Sequence, residues 1–146
     1  MKKYLLMILF LLFLAISACA APATQEPADA LIGAWKLTAY GPVNAPISAL
    51  ESVEADLMFN VDGTLTGNSG CNGYSGSYTV EGNHISFSPI VSTRMLCDKA
   101  IMEQETAIHQ VLTGTASFKI QGNQLTLTNS DRMLAFTTAV SYPSYP

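Results

Sequence analysis

The sequence predicts a mainly β domain with one α-helix: a small antiparallel β-barrel-like domain, the helix inserted between later strands. Three observations lead there. Between residues 31 and 138 the dominant hydrophobic period is two, the signature of strands with one buried face. Glycine-bearing pairs punctuate these runs where hairpin turns are needed. A single stretch, Cys97 to Gly114, carries helical spacing instead.

Taken in order, Trp35 and Leu37 alternate with Lys36 and Thr38, and Leu57, Phe59 and Val61 with Met58 and Asn60. Ile85 and Phe87 flank Ser86, Phe118 and Ile120 flank Lys119, Leu125 and Leu127 flank Thr126, and Leu134 and Phe136 flank Ala135. Asp62-Gly63, Gly82-Asn83 and Gly122-Asn123 are the predicted turns, because these residue types accept positive φ. The segment CDKAIMEQETAIHQVLTG has Asp98 as N-cap, Ile101, Ile108 and Leu112 on one stripe, and Gly114 as a stop. It predicts a helix of about four turns covering one opening of the sheet. Residues 41–52, GPVNAPISALES, show no period and carry two prolines, so they read as a long loop.

The ends have a different character. Lys2 and Lys3 precede an unbroken apolar run from Leu5 to Ile16. Twelve helical residues would span only about 18 Å, short of a hydrocarbon core of roughly 30 Å, which predicts a signal peptide. Ile16-Ser17-Ala18-Cys19 resembles the lipobox of bacterial lipoproteins, in which the cysteine is lipidated and becomes the first mature residue. The expected organisation is therefore a lipoprotein signal peptide at 1–18, a flexible tether at 19–30, one domain at 31–138 and a disordered Tyr/Pro tail at 139–146. The expected location is the cell envelope, with the membrane held through lipid on Cys19. In a double-membraned cell that means the outer membrane facing the periplasm, otherwise the outer face of the cell membrane. Losing Lys2 and Lys3 from the seven basic residues, against 11 acidic ones, leaves a net charge of about −6. Such acidity argues against nucleic acid as a partner.

With Cys19 lipidated, Cys71 and Cys97 remain, and an even pair outside the cytoplasm reads as a disulfide. Closing a loop of about 27 residues stabilises a small domain by roughly 3–4 kcal/mol. A cysteine nucleophile would need a base. His84, in a hairpin turn, and His109, on the helix beside the apolar stripe, are the two histidines, and neither adjoins Cys71 in sequence. A zinc site would need CxxC or HxxxH spacing, which is missing from the sequence.

Around Cys71, glycines at 67, 70, 73 and 76 free the backbone for an irregular crossing. One reading is a bulged corner held by packing. The other is a shallow polar site built from Asn68, Asn72, Tyr74 and Arg94, since a disulfide at Cys97 would carry Arg94 close to Cys71.

The strings SGCNGYSGSYTV, STRMLCD and MEQE together resemble the META domain family, which includes the bacterial heat-shock protein HslJ. The similarity runs from about Leu31 to Thr138. The resemblance implies a mostly β, barrel-like domain with one helix, a pairing of Cys71 with Cys97, and an association with envelope stress. It brings no enzymatic activity and no cofactor. The expected function is thus a non-enzymatic, lipid-anchored envelope domain, a monomer that binds a protein or envelope component and supports stress tolerance. A barrel-type carrier of small molecules is the alternative and would need a hollow interior. An enzyme is the weakest reading, because no paired carboxylates, Ser-His-Asp set or metal constellation is evident.

Overall fold

The computed structural model describes residues 28–139. The expected signal peptide, Cys19 and most of the expected tether and tail lie outside them. A 3-10 turn, Ala28–Leu31, opens the described chain, taking in the last three residues of the expected tether. Ten strands follow: β1 (Gly33–Pro42), β2 (Ile47–Ser48), β3 (Asp56–Phe59), β4 (Thr64–Asn68), β5 (Gly73–Glu81), β6 (His84–Phe87), β7 (Val91–Ser92), β8 (Gly114–Gln121), β9 (Gln124–Asn129) and β10 (Arg132–Thr138). The helix, α1 (Lys99–Val111), stands between β7 and β8.

Eight strands close into an antiparallel barrel in the order β1-β3-β4-β5-β6-β8-β9-β10 and back to β1. The closing seam joins β1 to β10, from Trp35 opposite Thr138 to Pro42 opposite Arg132, with a register shift between Leu37 and Ala39. β1 is long enough to bend. Its first four residues pair with β3 on the edge away from β10, and Ala39 and Tyr40 then take β2. Two short strands therefore lie outside the ring, β2 on β1 and β7 on β5.

The alternation read from the sequence holds where it matters. Trp35, Leu37, Leu57, Phe59, Leu65, Ile85, Phe87, Phe118, Leu125, Leu127, Leu134 and Phe136 all point inward and are buried in one contiguous cluster. An eight-stranded barrel is just wide enough for side chains to fill. Val61 departs from its expected place. The strand ends at Phe59, and Val61 sits exposed in the Asn60–Gly63 turn. That turn is held by Asp62, whose Oδ1 accepts the hydroxyl (2.6 Å) and the N–H (3.0 Å) of Thr64. In the Gly82-Asn83 and Gly122-Asn123 turns only the glycine has positive φ, +62° and +61°. This is what a type II′ turn asks of its first central residue, so the asparagines are there for another reason.

The helix is shorter than its apolar stripe. Val111 ends it, and Leu112 follows as a fully buried cap residue whose N–H donates to the Ile108 carbonyl. Gly114 (φ +68°) opens β8. At the other end Asp98 occupies the N-cap position without a side-chain cap. Its backbone carbonyl accepts the N–H groups of Ile101 and Met102. Asn129 of β9 donates to the Val111 and Thr113 carbonyls, satisfying the helix C-terminus from outside. Ala107, Ile108, Val111 and Leu112 join the barrel cluster.

Residues 41–52 are less loose than their composition predicts. Ala49 N–H bonds the Thr38 carbonyl (2.9 Å), Val43 N–H the Asp131 carbonyl (2.8 Å), and Leu50 N–H the side chain of Gln104 (2.9 Å). Ala139, the first residue of the expected tail, still donates its N–H to Ala34.

Candidate functional site: the Cys71 loop and its clamp

The loop between β4 and β5 carries Ser69, Gly70, Cys71 and Asn72, and α1 and the segment after β7 pack against it. Cys71 and Cys97 are bonded, with Cα atoms 6.2 Å apart. That separation is the ordinary span of a disulfide. Cys71 is thereby no nucleophile.

Asn72 is 1% exposed and forms the hub. Its Nδ2 donates to Glu105 Oε1 (3.1 Å) and Oε2 (3.0 Å) and to the Met95 carbonyl (3.1 Å). Its Oδ1 accepts the Thr93 hydroxyl and the Met95 N–H, both at 2.7 Å. Ser69 is buried beside it. The Ser69 hydroxyl donates to Glu105 Oε2 (2.5 Å) and accepts the Asn72 N–H (3.2 Å). Gln104, fully buried in the helix, completes the knot: Nε2 donates to the Ser69 carbonyl (3.0 Å) and Oε1 accepts the Leu50 N–H (2.9 Å). One turn of α1 thus grips two loops directly, and the Thr93–Met95 segment through Asn72. Buried polar groups are tolerable when satisfied in this way, and such networks fix one arrangement.

Gly70 (φ +104°) shows why the loop is glycine-rich. A Cβ there would press on Val53 Cγ2 at 2.6 Å. Gly67 serves a neighbouring purpose: the Tyr74 phenol lies across it to donate to the Asp56 carbonyl (2.7 Å), where any Cβ would collide. Tyr78, four residues on, repeats the move toward the Asn60 carbonyl (2.9 Å). The tyrosines of β5 therefore reach over β4, Tyr74 to β3 and Tyr78 to the turn that follows it, and the Tyr74 ring meets His109 edge to face at 5.8 Å. His109 Nε2 is buried without a hydrogen-bond partner, and His84 is exposed at the start of β6.

Burial first, and the Asp56 carboxylate second, push the Tyr74 phenol well above its ordinary value of 10.0. Burial and then Asp62 raise Tyr78 likewise. In the unfolded chain both ionise near pH 10. The stability they contribute is full below that pH and is lost as pH rises through the raised folded values. Phenolate absorbance in alkali is therefore expected to show Tyr74 ionising only together with loss of the β signal in circular dichroism, and Tyr78 ionising above its ordinary range. Ionisation of Tyr74 near pH 10 in a folded chain, read by comparison with Tyr74→Phe, would contradict this.

Of the four residues expected in a polar site, the structure brings Asn72 into the hub and places Tyr74 beneath the same corner. Asn68 is exposed and closes a local turn, its Oδ1 accepting the Gly70 N–H (2.7 Å) while its own N–H bonds Asp56 Oδ1 (2.9 Å). Arg94 stands apart. It is exposed and, among the described residues, makes neither a hydrogen bond nor an ion pair. The sequence reading missed Ser69, Thr93, Gln104 and Glu105. Gln104 carried a legible signal, since it falls on the apolar stripe between Ile101 and Ile108, where a polar residue must find buried partners. Among the described residues no group of three or more His, Cys, Asp or Glu side chains is placed to hold a metal ion.

The fold is similar to solved structures. A protein from Burkholderia xenovorans, solved by NMR, is 25% identical with a TM-score of 0.66, over 85% of this chain and 95% of that one. A second NMR structure is 20% identical, with a TM-score of 0.63 over 77% and 96%. The crystal structure of an uncharacterized protein from Bacteroides eggerthii is 15% identical, with a TM-score of 0.50 over 75% and 99%. No curated protein sequence matches the chain. The family model of the META domain, not a known enzyme family, matches residues 29–141, which takes in the barrel, the helix and the clamp. The chain belongs to the META domain family.

Proposed function

We propose that this chain is a non-enzymatic, lipid-anchored envelope protein whose domain binds a protein or envelope partner and supports stress tolerance. The observation that carries the reading is the pairing of an inward-packed barrel with a clamped, outward-facing segment. The inward side chains form one cluster, which weighs against the carrier alternative. The polar groups of the hub are spent on one another, which leaves them no substrate to hold. What the fold displays is the stretch from Val91 to Cys97, where Val91 (71%), Met95 (56%) and Leu96 (94%) are exposed. Large apolar side chains clustered at a surface mark interaction sites. The stress link rests on the META resemblance alone.

Two experiments test this. Co-purification with the intact, processed protein is expected to recover a specific partner that is lost when Met95 and Leu96 are both changed to Ser. Recovery of the same partner by that variant would contradict the reading. For the anchor, metabolic fatty-acid label is expected in the wild type and absent from Cys19→Ser. Label persisting in the variant, or a mature chain that starts elsewhere, would remove the lipoprotein part.

A further inference from the structure

We infer that the outer edge of β7 and the residues after it form a strand-addition site for an extended, apolar segment of a partner protein carrying a carboxylate. This deepens the partner-binding reading above and rests on it. The backbone supplies the first argument. β7 pairs antiparallel with β5, Ser92 opposite Tyr74 and Val91 opposite Ser75, and the Thr93 N–H continues the ladder to the Gly73 carbonyl (3.0 Å). In such a ladder bonded and non-bonded pairs alternate, so the N–H and C=O of Ser92 point away from β5. Among the described residues β7 has no other neighbouring strand, and no partner takes the backbone groups of Ser92 or Arg94.

The second argument is preorganisation. The segment is held at three points: the β5 ladder at Val91–Thr93, the Asn72 side chain at Thr93 and Met95, and the disulfide at Cys97. A recognition edge fixed before binding loses little entropy when a partner arrives. Next to it the sheet face carries a shallow cavity of about 340 Å³ whose lining runs from Gly67 of β4 through Tyr74 and Ser75 of β5 to Val91 and Thr93. Charge supplies the third. Arg94 is an exposed cation with no carboxylate against it, on a chain whose formal net charge is −4, so an acidic residue in the incoming segment would be its complement.

The same exposed Val91, Met95 and Leu96 could also be imagined dipping into a bilayer. The backbone decides against that. Hydrocarbon would leave the N–H and C=O of Ser92 unsatisfied at a cost of several kcal/mol, whereas a peptide strand satisfies them.

The test uses the isotope-labelled mature protein and two blocked heptapeptides of alternating Val and Thr, one with a central Asp and one with a central Lys. With the Asp peptide, amide exchange at Ser92 and Arg94 is expected to slow about tenfold or more. The Lys peptide, and the Asp peptide on Arg94→Glu, should bind roughly fivefold more weakly. Ser92→Pro removes the outward N–H while leaving the β5 ladder intact, and should also lose the protection at Arg94. If Ser92→Pro lowers the melting temperature, Arg94→Glu carries the test by itself. Equal binding of the two peptides overturns the site. So does protection by phosphatidylglycerol vesicles but not by peptide, which means a membrane face. Protection that rises with protein concentration alone also overturns it and means a second copy. The two readings fail separately. Partner recovery from cells that is unchanged in Ser92→Pro and Arg94→Glu sinks the strand site and leaves the envelope-partner reading standing. Peptide binding as described, with no cellular partner for the wild type, does the reverse.

Discussion

Replacing both Cys71 and Cys97 by Ser is expected to lower the stability of the domain by about 2–5 kcal/mol, the usual loss when a small domain is deprived of a native disulfide. For a domain of this size the melting temperature should fall by roughly 10–20 °C. The bond joins the β4–β5 corner to the residue that precedes the N-cap of α1, so it shortens a long excursion through β5, β6 and β7 in the unfolded chain. Its loss need not scatter the barrel, since β5 still pairs with β4 and β6. The segment 91–97 should suffer most, because the disulfide is one of the few things that hold it. Amide exchange there is expected to accelerate well beyond that of β8–β10. Thermal unfolding with and without the substitutions measures the first effect, and residue-resolved exchange the second. A double variant that melts with the wild type would show that the Asn72 clamp alone closes the corner. Two free thiols in the unfolded, non-reduced wild-type protein would show that the bond does not form.

The barrel strands were legible because each inward residue has a local alternative that is plainly wrong: a shift of one residue would turn Leu125 and Leu127 out into water. The hairpin turns were legible for the same local reason. β2 and β7 were not, since Ile47–Ser48 and Val91–Ser92 are two residues each and owe their conformation to β1 and β5, distant in sequence. The barrel itself was expected, but the seam that closes it was equally hidden, because it joins the first long strand to the last. In the site, the spacing of cysteines pointed to the staple, but nothing local says that Asn72 faces Glu105, 33 residues away. Arg94 shows the opposite error. Nearness to Cys97 in sequence put it beside the polar hub, yet its segment is clamped through the Thr93 hydroxyl and the Met95 backbone, and the Arg94 side chain turns to solvent.

Asn72→Asp is expected to cost more at neutral pH than Asn72→Ala, although it is the closer match in shape. Removing the side chain to Cβ leaves the Glu105 carboxylate with the Ser69 hydroxyl as its remaining donor and frees the Met95 N–H and the Thr93 hydroxyl. Met95 and Thr93 are exposed enough to turn to water, so the loss should be about 2–3 kcal/mol. The Asp substitution replaces the Nδ2 donor by an oxygen that faces both Glu105 oxygens at about 3 Å. Two carboxylates that close cannot both ionise at low cost, and the introduced group also turns a lone pair on the Met95 carbonyl. A loss of about 3–5 kcal/mol follows at pH 7. Its pH dependence is the signature. In the fold the pair keeps a proton above the pH at which either carboxyl gives it up in the unfolded chain, near 4. The folded pKa is therefore raised, so the stability is greatest below about pH 4 and is lost as pH rises through the raised value. Asn72→Asp should accordingly recover relative to wild type as the solution is acidified from pH 7 toward 4, while Asn72→Ala keeps its deficit over the same range. Denaturant midpoints of the three proteins across that window decide it. A pH-independent deficit for Asn72→Asp would mean that Glu105 moves away from the corner, and that Asn72 acts through Thr93 and Met95 alone.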